Sequence, residues 1–121
     1  PLLTLSVAAA RAHGLTILDG VHNDIEDLAA LEAVCVQGVD FGFDGKTLIH
    51  PKHLEICNRV FSPSPEDVAW SHAVIAAFNA PENAGKGALR VDGKMAERLH
   101  LAQAERLVAV AEAISGRSAE A

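Results

Sequence analysis

Residues 42–70, GFDGKTLIHPKHLEICNRVFSPSPEDVAW, constrain the fold more than any other stretch of the chain. Gly42 and Gly45 admit backbone conformations or close approaches that a side chain would block, while Pro51 fixes its own φ and biases His50 toward extended backbone. A strand over residues 45–49 therefore ends at His50, and a helix follows. In a parallel α/β protein, ligands gather at the carboxyl ends of strands. Thr47 to Pro51 would then offer backbone groups, an imidazole and the nearby Lys46 to a bound molecule. A plain strand-to-helix turn is the alternative reading of the same residues.

The segments on either side alternate in type. Leu5, Ala8, Ala9 and Ala12 fall at helical spacing in residues 4–13, and Gly14 stops that helix. LTIL at 15–18 reads as a short strand closed by Asp19-Gly20. Asp24 can cap a helix whose apolar face carries Leu28, Leu31, Val34 and Cys35 and which ends near Gly38. After Pro51, a short helix turns Leu54, Ile56, Cys57 and Val60 mostly inward. Ser64 is placed to cap the next helix, with Pro65 at its first position and Asp67 at its third, running to Phe78. Residues 79–87 read as a loop, and ALRVDGKM reads as a hairpin turning at Asp92-Gly93. A last helix over 97–115 carries Leu101, Ala104, Leu107, Val108 and Ala111 and closes at Gly116. Helix, strand, helix, strand, helix is the order of a parallel sheet with helices outside it.

Two strands with their helices leave apolar faces and sheet edges open, so another segment or subunit must cover them. The chain also opens at Pro1 directly on an apolar helical pattern, as a cut end would. Ten Lys and Arg stand against 16 Asp and Glu, a formal net charge of -6 with no basic run, which argues against nucleic acid as a partner. Apolar runs fall short of the roughly 20 residues a membrane span needs, so the expected setting is cytoplasmic and not membrane-bound. Cys35 and Cys57 form no Cys-x-x-Cys pattern and read as small core residues rather than a redox pair.

DGVHND at 19–24, GFDGKTLIHPKH at 42–53, VFSPSPEDVAW at 60–70 and GKGALRVDGKM at 85–95 together resemble the carboxy-terminal half of the HpcH/HpaI aldolase superfamily, in particular the citrate lyase beta subunit and malyl-CoA lyase type of CoA-ester lyase. Four blocks in order are more specific than any one of them. The resemblance implies a (β/α)8 TIM barrel, of which residues 1–78 would be the last βα units and residues 79–121 a small lid hairpin with a terminal helix. It further implies Mg2+ as cofactor, with the metal ligands and a substrate-positioning arginine upstream of Pro1 and none in this chain. Expected partners are a CoA thioester and a small 2-oxo acid such as glyoxylate, in a homotrimer or homohexamer. The implied reaction is carbon-carbon cleavage or formation in malyl-CoA-like substrates. Malyl-CoA thioesterase or malate synthase activity, and a non-catalytic CoA-binding subunit, are the alternatives.

Carried over residue by residue, the resemblance makes Thr47 and Leu48 contacts of the CoA ester, with Ile49, His50 and Pro51 beside them. It makes Glu97, in Met95-Ala96-Glu97, the lid's acid or base serving a neighbouring subunit's site. Related lyases commonly have aspartate there, and glutamate places the carboxylate one methylene further out. The helix dipole alone would also favour an acid in the first turn of a helix. Asp19 stands at a strand end, where barrel enzymes place functional groups, although Asp-Gly is also an ordinary turn. Gly45-Lys46-Thr47 matches the tail of a P-loop, but Asp40 stands where that motif needs its first glycine. His50 and His53 stand three apart, but only Glu55 or Glu66 could complete a zinc set, and the two read as solvated surface.

Overall fold

The structure is a computed structural model that describes residues 1–120; Ala121, the end of the expected 79–121 segment, lies outside the described residues. By contact the chain divides into two compact units, Pro1–Ser62 and Pro63 onward.

The first unit contains helix α1 (Leu2–Ala12), strand β1 (Leu18–Asp19), helix α2 (Leu28–Phe41), strand β2 (Gly45–Lys46), a 3-10 turn at Pro51–His53 and helix α3 (Leu54–Phe61). The strands are parallel, with Leu18 opposite Gly45 and Asp19 opposite Lys46. This is the expected alternation, but both strands are much shorter than 15–18 and 45–49. Backbone bonds from Asp44 N–H to the Ile17 carbonyl (2.9 Å) and from Thr47 N–H to the Asp19 carbonyl (3.0 Å) extend the ladder slightly at each end. Leu15 cannot join it, because its N–H is already bonded to the Ala10 carbonyl at 2.8 Å as the chain leaves α1. Beyond Thr47 the chain bends toward Pro51, where the 3-10 turn begins.

Two helix boundaries also differ from expectation. Asp27, not Asp24, caps α2 by accepting from Ala30 N–H at 3.0 Å, while Asp24 Oδ1 accepts from Glu26 and Asp27 N–H in the turn before it. The helix passes through Gly38 and ends at Phe41, with Gly42 in the left-handed conformation (φ 96°). Gly38 serves close packing rather than termination, since a Cβ there would stand 3.1 Å from Phe61 Cζ. The core of the unit is Leu31, Cys35 and Cys57, with Leu48, Ile56, Val60 and Phe61 packed on it. Leu54, expected inward, is exposed, and Ala10 is the buried residue of α1 while Leu5 is exposed.

The second unit contains helix α4 (Pro65–Asn79), a 3-10 turn at Pro81–Asn83 within the expected loop, strands β3 (Ala88–Val91) and β4 (Lys94–Glu97), and helix α5 (Arg98–Glu120). Ser64 caps α4 as expected, its Oγ accepting from Asp67 N–H at 3.1 Å, with Pro65 in the first turn. The hairpin forms where expected. Asp92 (φ 48°) and Gly93 (φ 79°) both take positive φ, the requirement of the two-residue turn whose twist matches the flanking strands. Val74, Phe78, Val91, Ala96 and Ala104 make the core, with Trp70, Leu89 and Leu101 against it. Helix α5 runs past Gly116, which is not among the positive-φ residues, so this glycine does not close it. Glu97 is the last residue of β4 rather than part of the helix's first turn. Among the described residues no helix is long and apolar enough to cross a membrane.

Candidate functional site

In the first unit, parallel pairing sets Asp19 and Lys46 side by side at the carboxyl ends of the two strands. Lys46 Nζ lies 3.2 Å from Asp19 Oδ2 and also donates to the Gly20 carbonyl. The Lys46 side chain is only 2% exposed and that of Asp19 18%. An ammonium withdrawn from water to this degree needs a carboxylate and a carbonyl around it, and the strand ends supply both. Asp19 Oδ1 meanwhile accepts from Gly20 N–H at 2.9 Å, which fixes the carboxylate against its own turn.

Thr47 continues from Lys46. Its N–H and its hydroxyl both donate to the Asp19 carbonyl, at 3.0 and 3.2 Å, and the residue is exposed. Leu48 turns inward onto the core of Leu31, Cys35 and Cys57, whereas Ile49 is exposed. His50 is half-buried, and its Nδ1 accepts from Lys52 N–H at 3.1 Å, capping the turn that Pro51 opens. Thr47, Ile49 and Pro51 therefore present surface at the strand end, and Leu48 anchors the segment beneath them. At the start of β2 a second ion pair fixes the strand. Arg11 holds Asp44 in a fork of 2.8 and 3.0 Å, and Asp44 Oδ2 accepts from Ile17 N–H. The bond to Asp44 raises the Arg11 pKa further above its ordinary value.

His53 corrects the solvated-surface reading. It is fully buried, its ring 6.0 Å from that of His22 and 6.3 Å from that of His50. Neither His53 nitrogen, nor His22 Nε2, has a hydrogen-bond partner among the described residues. The reason is the 3-10 turn at Pro51–His53, which rolls His53 beneath the strand end instead of outward. The three imidazoles do not make a metal centre: among the described residues no group of three or more His, Cys, Asp or Glu side chains is placed to hold an ion.

Behind the strand ends, Cys35 and Cys57 are both buried free thiols with sulfurs 3.3 Å apart. Burial, then the bond with Cys57, pushes the Cys35 thiol up to about 12. A thiol held protonated in this way is a packing group, as its core position indicates.

Glu97 belongs to the second unit. It pairs with Ala88 across the hairpin, its side chain is exposed, and its carboxylate has no partner among the described residues. Two cations brace the backbone on either side of it: Lys94 Nζ lies 5.4 Å from the Trp70 ring centre and the Arg98 guanidinium 5.2 Å from that of Phe78.

The sequence reading missed the Asp19–Lys46 bridge and the histidine cluster. The signal for the first was present, since Asp-Gly and Gly-Lys each mark an end of an apolar run, but only the register pairs them.

No protein-family model matches the chain. It is 55% identical over 113 residues to (3S)-malyl-CoA thioesterase of Cereibacter sphaeroides, covering 93% of this chain and 40% of that protein. It is 39% identical over 108 residues to the mitochondrial citramalyl-CoA lyase of Homo sapiens, covering 89% of this chain and 32% of that protein. Among solved structures it resembles CitE from Mycobacterium tuberculosis, determined with magnesium, acetoacetate and coenzyme A. That match has a TM-score of 0.71 and 31% identity over 91% of this chain and 40% of that one. The chain thus spans about two fifths of the length of the thioesterase relatives it matches.

Proposed function

The chain belongs to the HpcH/HpaI aldolase family of citrate lyase beta subunit-like CoA-ester enzymes, and from that membership we propose that it is the carboxy-terminal part of an enzyme hydrolysing a malyl-CoA-type thioester to the free acid and CoA. The observation that carries the choice of hydrolysis is the 55% identity to (3S)-malyl-CoA thioesterase across 93% of the chain. Carbon-carbon cleavage is the second reading, favoured by the 39% identity to citramalyl-CoA lyase.

In this reading residues 1–78 form the last βα units of a TIM barrel, and residues 79–121 form a lid hairpin with its helix, in a homotrimer or homohexamer in the cytoplasm. Thr47, Ile49, His50 and Pro51 line the CoA ester at the strand end, with Leu48 anchoring them and the Asp19–Lys46 bridge holding that end rigid. Glu97 serves a neighbouring subunit. Hydrolysis takes one proton from the attacking water and delivers one to the departing CoA sulfur. A carboxylate can accept the first and, as the carboxylic acid, supply the second. Among the described residues no three His, Cys, Asp or Glu side chains are grouped as they would be around an ion. In this reading the ligands for Mg2+, the ion present in the CitE complex, are supplied by the part of the whole enzyme upstream of Pro1.

The test is product analysis with the full-length enzyme and (3S)-malyl-CoA. Free CoA thiol and malate without glyoxylate support hydrolysis. Acetyl-CoA and glyoxylate without free thiol support the lyase reading. Neither set of products, with CoA ester still bound, would make it a non-catalytic binding subunit.

A further inference from the structure

The backbone N–H of Glu97 donates to His100 Nδ1 at 2.8 Å. Glu97 occupies the cap position of α5, which begins at Arg98, and His100 is the third helical residue. This is the geometry of the reciprocal arm of a capping box, in which a side chain at that position reaches back to the cap residue's N–H. The usual occupant is glutamate or glutamine. An imidazole differs in one respect: it can accept only while Nδ1 carries no proton, so the bond requires neutral His100 protonated at Nε2.

We propose that His100 is a positioning residue for Glu97, fixing the hairpin-to-helix junction so that the carboxylate projects in one direction, and releasing it when the ring is protonated. The proposal rests on the catalytic reading of Glu97. The junction is otherwise constrained by the Ala88–Glu97 strand pair, by fully buried Ala96 just before Glu97, and by Arg98 over Phe78 just after it. What these leave undetermined is the cap residue's own N–H, and His100 takes it. The ring is half-buried and lines a groove of about 110 Å³ between α4 and α5 together with Asp67, Trp70, Ser71 and Gln103. Asp67 is the titratable group of α4 on that groove. On the hairpin side Lys94 stands over Trp70, and the remaining charges at the junction are those of Glu97 and Arg98.

The experiment compares His100→Ala, which removes the acceptor, with His100→Gln, which keeps an acceptor that does not titrate, in the full-length enzyme. His100→Ala should lower kcat about tenfold to a hundredfold, the scale of a misplaced catalytic group, with KM for the CoA ester nearly unchanged. His100→Gln should restore most of kcat and make kcat less sensitive to falling pH than it is in the wild type. Wild-type kcat and pH profile in His100→Ala would overturn the proposal, as would a His100→Gln enzyme no better than His100→Ala.

Hydrogen exchange at the Glu97 amide separates this outcome from failure of the catalytic reading. Protection lost in His100→Ala and kept in His100→Gln establishes the hold even if Glu97 proves dispensable for turnover, in which case only the assignment of its purpose falls. Should His100→Ala not fold, the wild type carries the same test. After correction for intrinsic rates, exchange at the Glu97 amide should speed up several-fold as the solution is acidified enough to protonate imidazoles. An unchanged corrected rate would overturn the switch.

Discussion

Lys46 Nζ stands 3.2 Å from Asp19 Oδ2 at the paired ends of β1 and β2, with the lysine side chain almost wholly withdrawn from solvent. Each partner makes the other's position tenable, because an unpaired charge in this setting costs far more than the pair itself contributes. Lys46→Met should therefore lower unfolding free energy by about 3 kcal/mol, the lower end for a broken buried pair because Asp19 keeps some exposure. The double change Lys46→Met with Asp19→Asn should recover much of that loss. Denaturant unfolding of the wild type, both single variants and the double variant decides it. A double variant as unstable as the sum of the singles would show that the two groups do not stabilise each other.

The Cys35 thiol gives a pH dependence of known sign. Burial and the bond with Cys57 raise it to about 12 in the folded chain. An unfolded thiol ionises near pH 8.5. The folded state keeps a proton that the unfolded state releases, so this contribution is complete below that value and is lost as pH rises toward the folded value. Stability should fall by up to about 1.4 kcal/mol per pH unit above about pH 9 from this group alone. Cys35→Ala costs stability through its cavity at every pH, yet its alkaline slope should be shallower than the wild type's. Parallel slopes for the two proteins would exclude Cys35 as the source.

Features legible in the sequence are those decided by a few adjacent residues. Asp92-Gly93 dictates its turn, and Ser64-Pro65 with Asp67 dictates the start of α4, because the groups that satisfy each other lie within one turn of chain. The alternation of helix and strand was legible for the same reason. The Asp19–Lys46 bridge was not, since it depends on the register of two parallel strands and its partners are 27 positions apart. The burial of His53 is not legible, because His-Pro reads as a strand stop without revealing that a 3-10 turn follows and rolls that ring under. Gly38 and Gly116 read as helix ends because glycine is the usual C-terminal stop. One instead admits Phe61, and the other lies within a helix that continues past it. At the candidate site, residue type and place in the chain were readable, whereas depth was not: Leu48 is an anchor and Thr47 a surface group although they are neighbours.

Thr47 tests the strand-end reading. Its hydroxyl and N–H both point back to the Asp19 carbonyl, and the residue itself is exposed, so added bulk is tolerated by the fold and projects over the strand end. Thr47→Trp in the full-length enzyme should raise the KM for the CoA ester about tenfold, roughly 1.4 kcal/mol, with unfolding little changed. An unchanged KM would reduce Thr47 to Pro51 to a strand-to-helix turn.

Glu97 carries the catalytic half of the reading. Its carboxylate is exposed at the end of β4, partnerless among the described residues and braced on both sides by cations seated on aromatic rings. Glu97→Gln preserves shape and the N–H that meets His100 but removes the titrating group. Turnover should fall about 100-fold to 10,000-fold, the usual worth of general acid-base catalysis, while substrate affinity hardly moves. If the lid serves a neighbour, mixing Glu97→Gln subunits with subunits disabled at the metal site elsewhere in the enzyme should restore activity that neither parent has. Some sites in the mixture then combine an intact metal centre with an intact carboxylate from next door. Near wild-type turnover in Glu97→Gln would remove the catalytic role, and an inactive variant that no mixing rescues would place the lid over its own barrel.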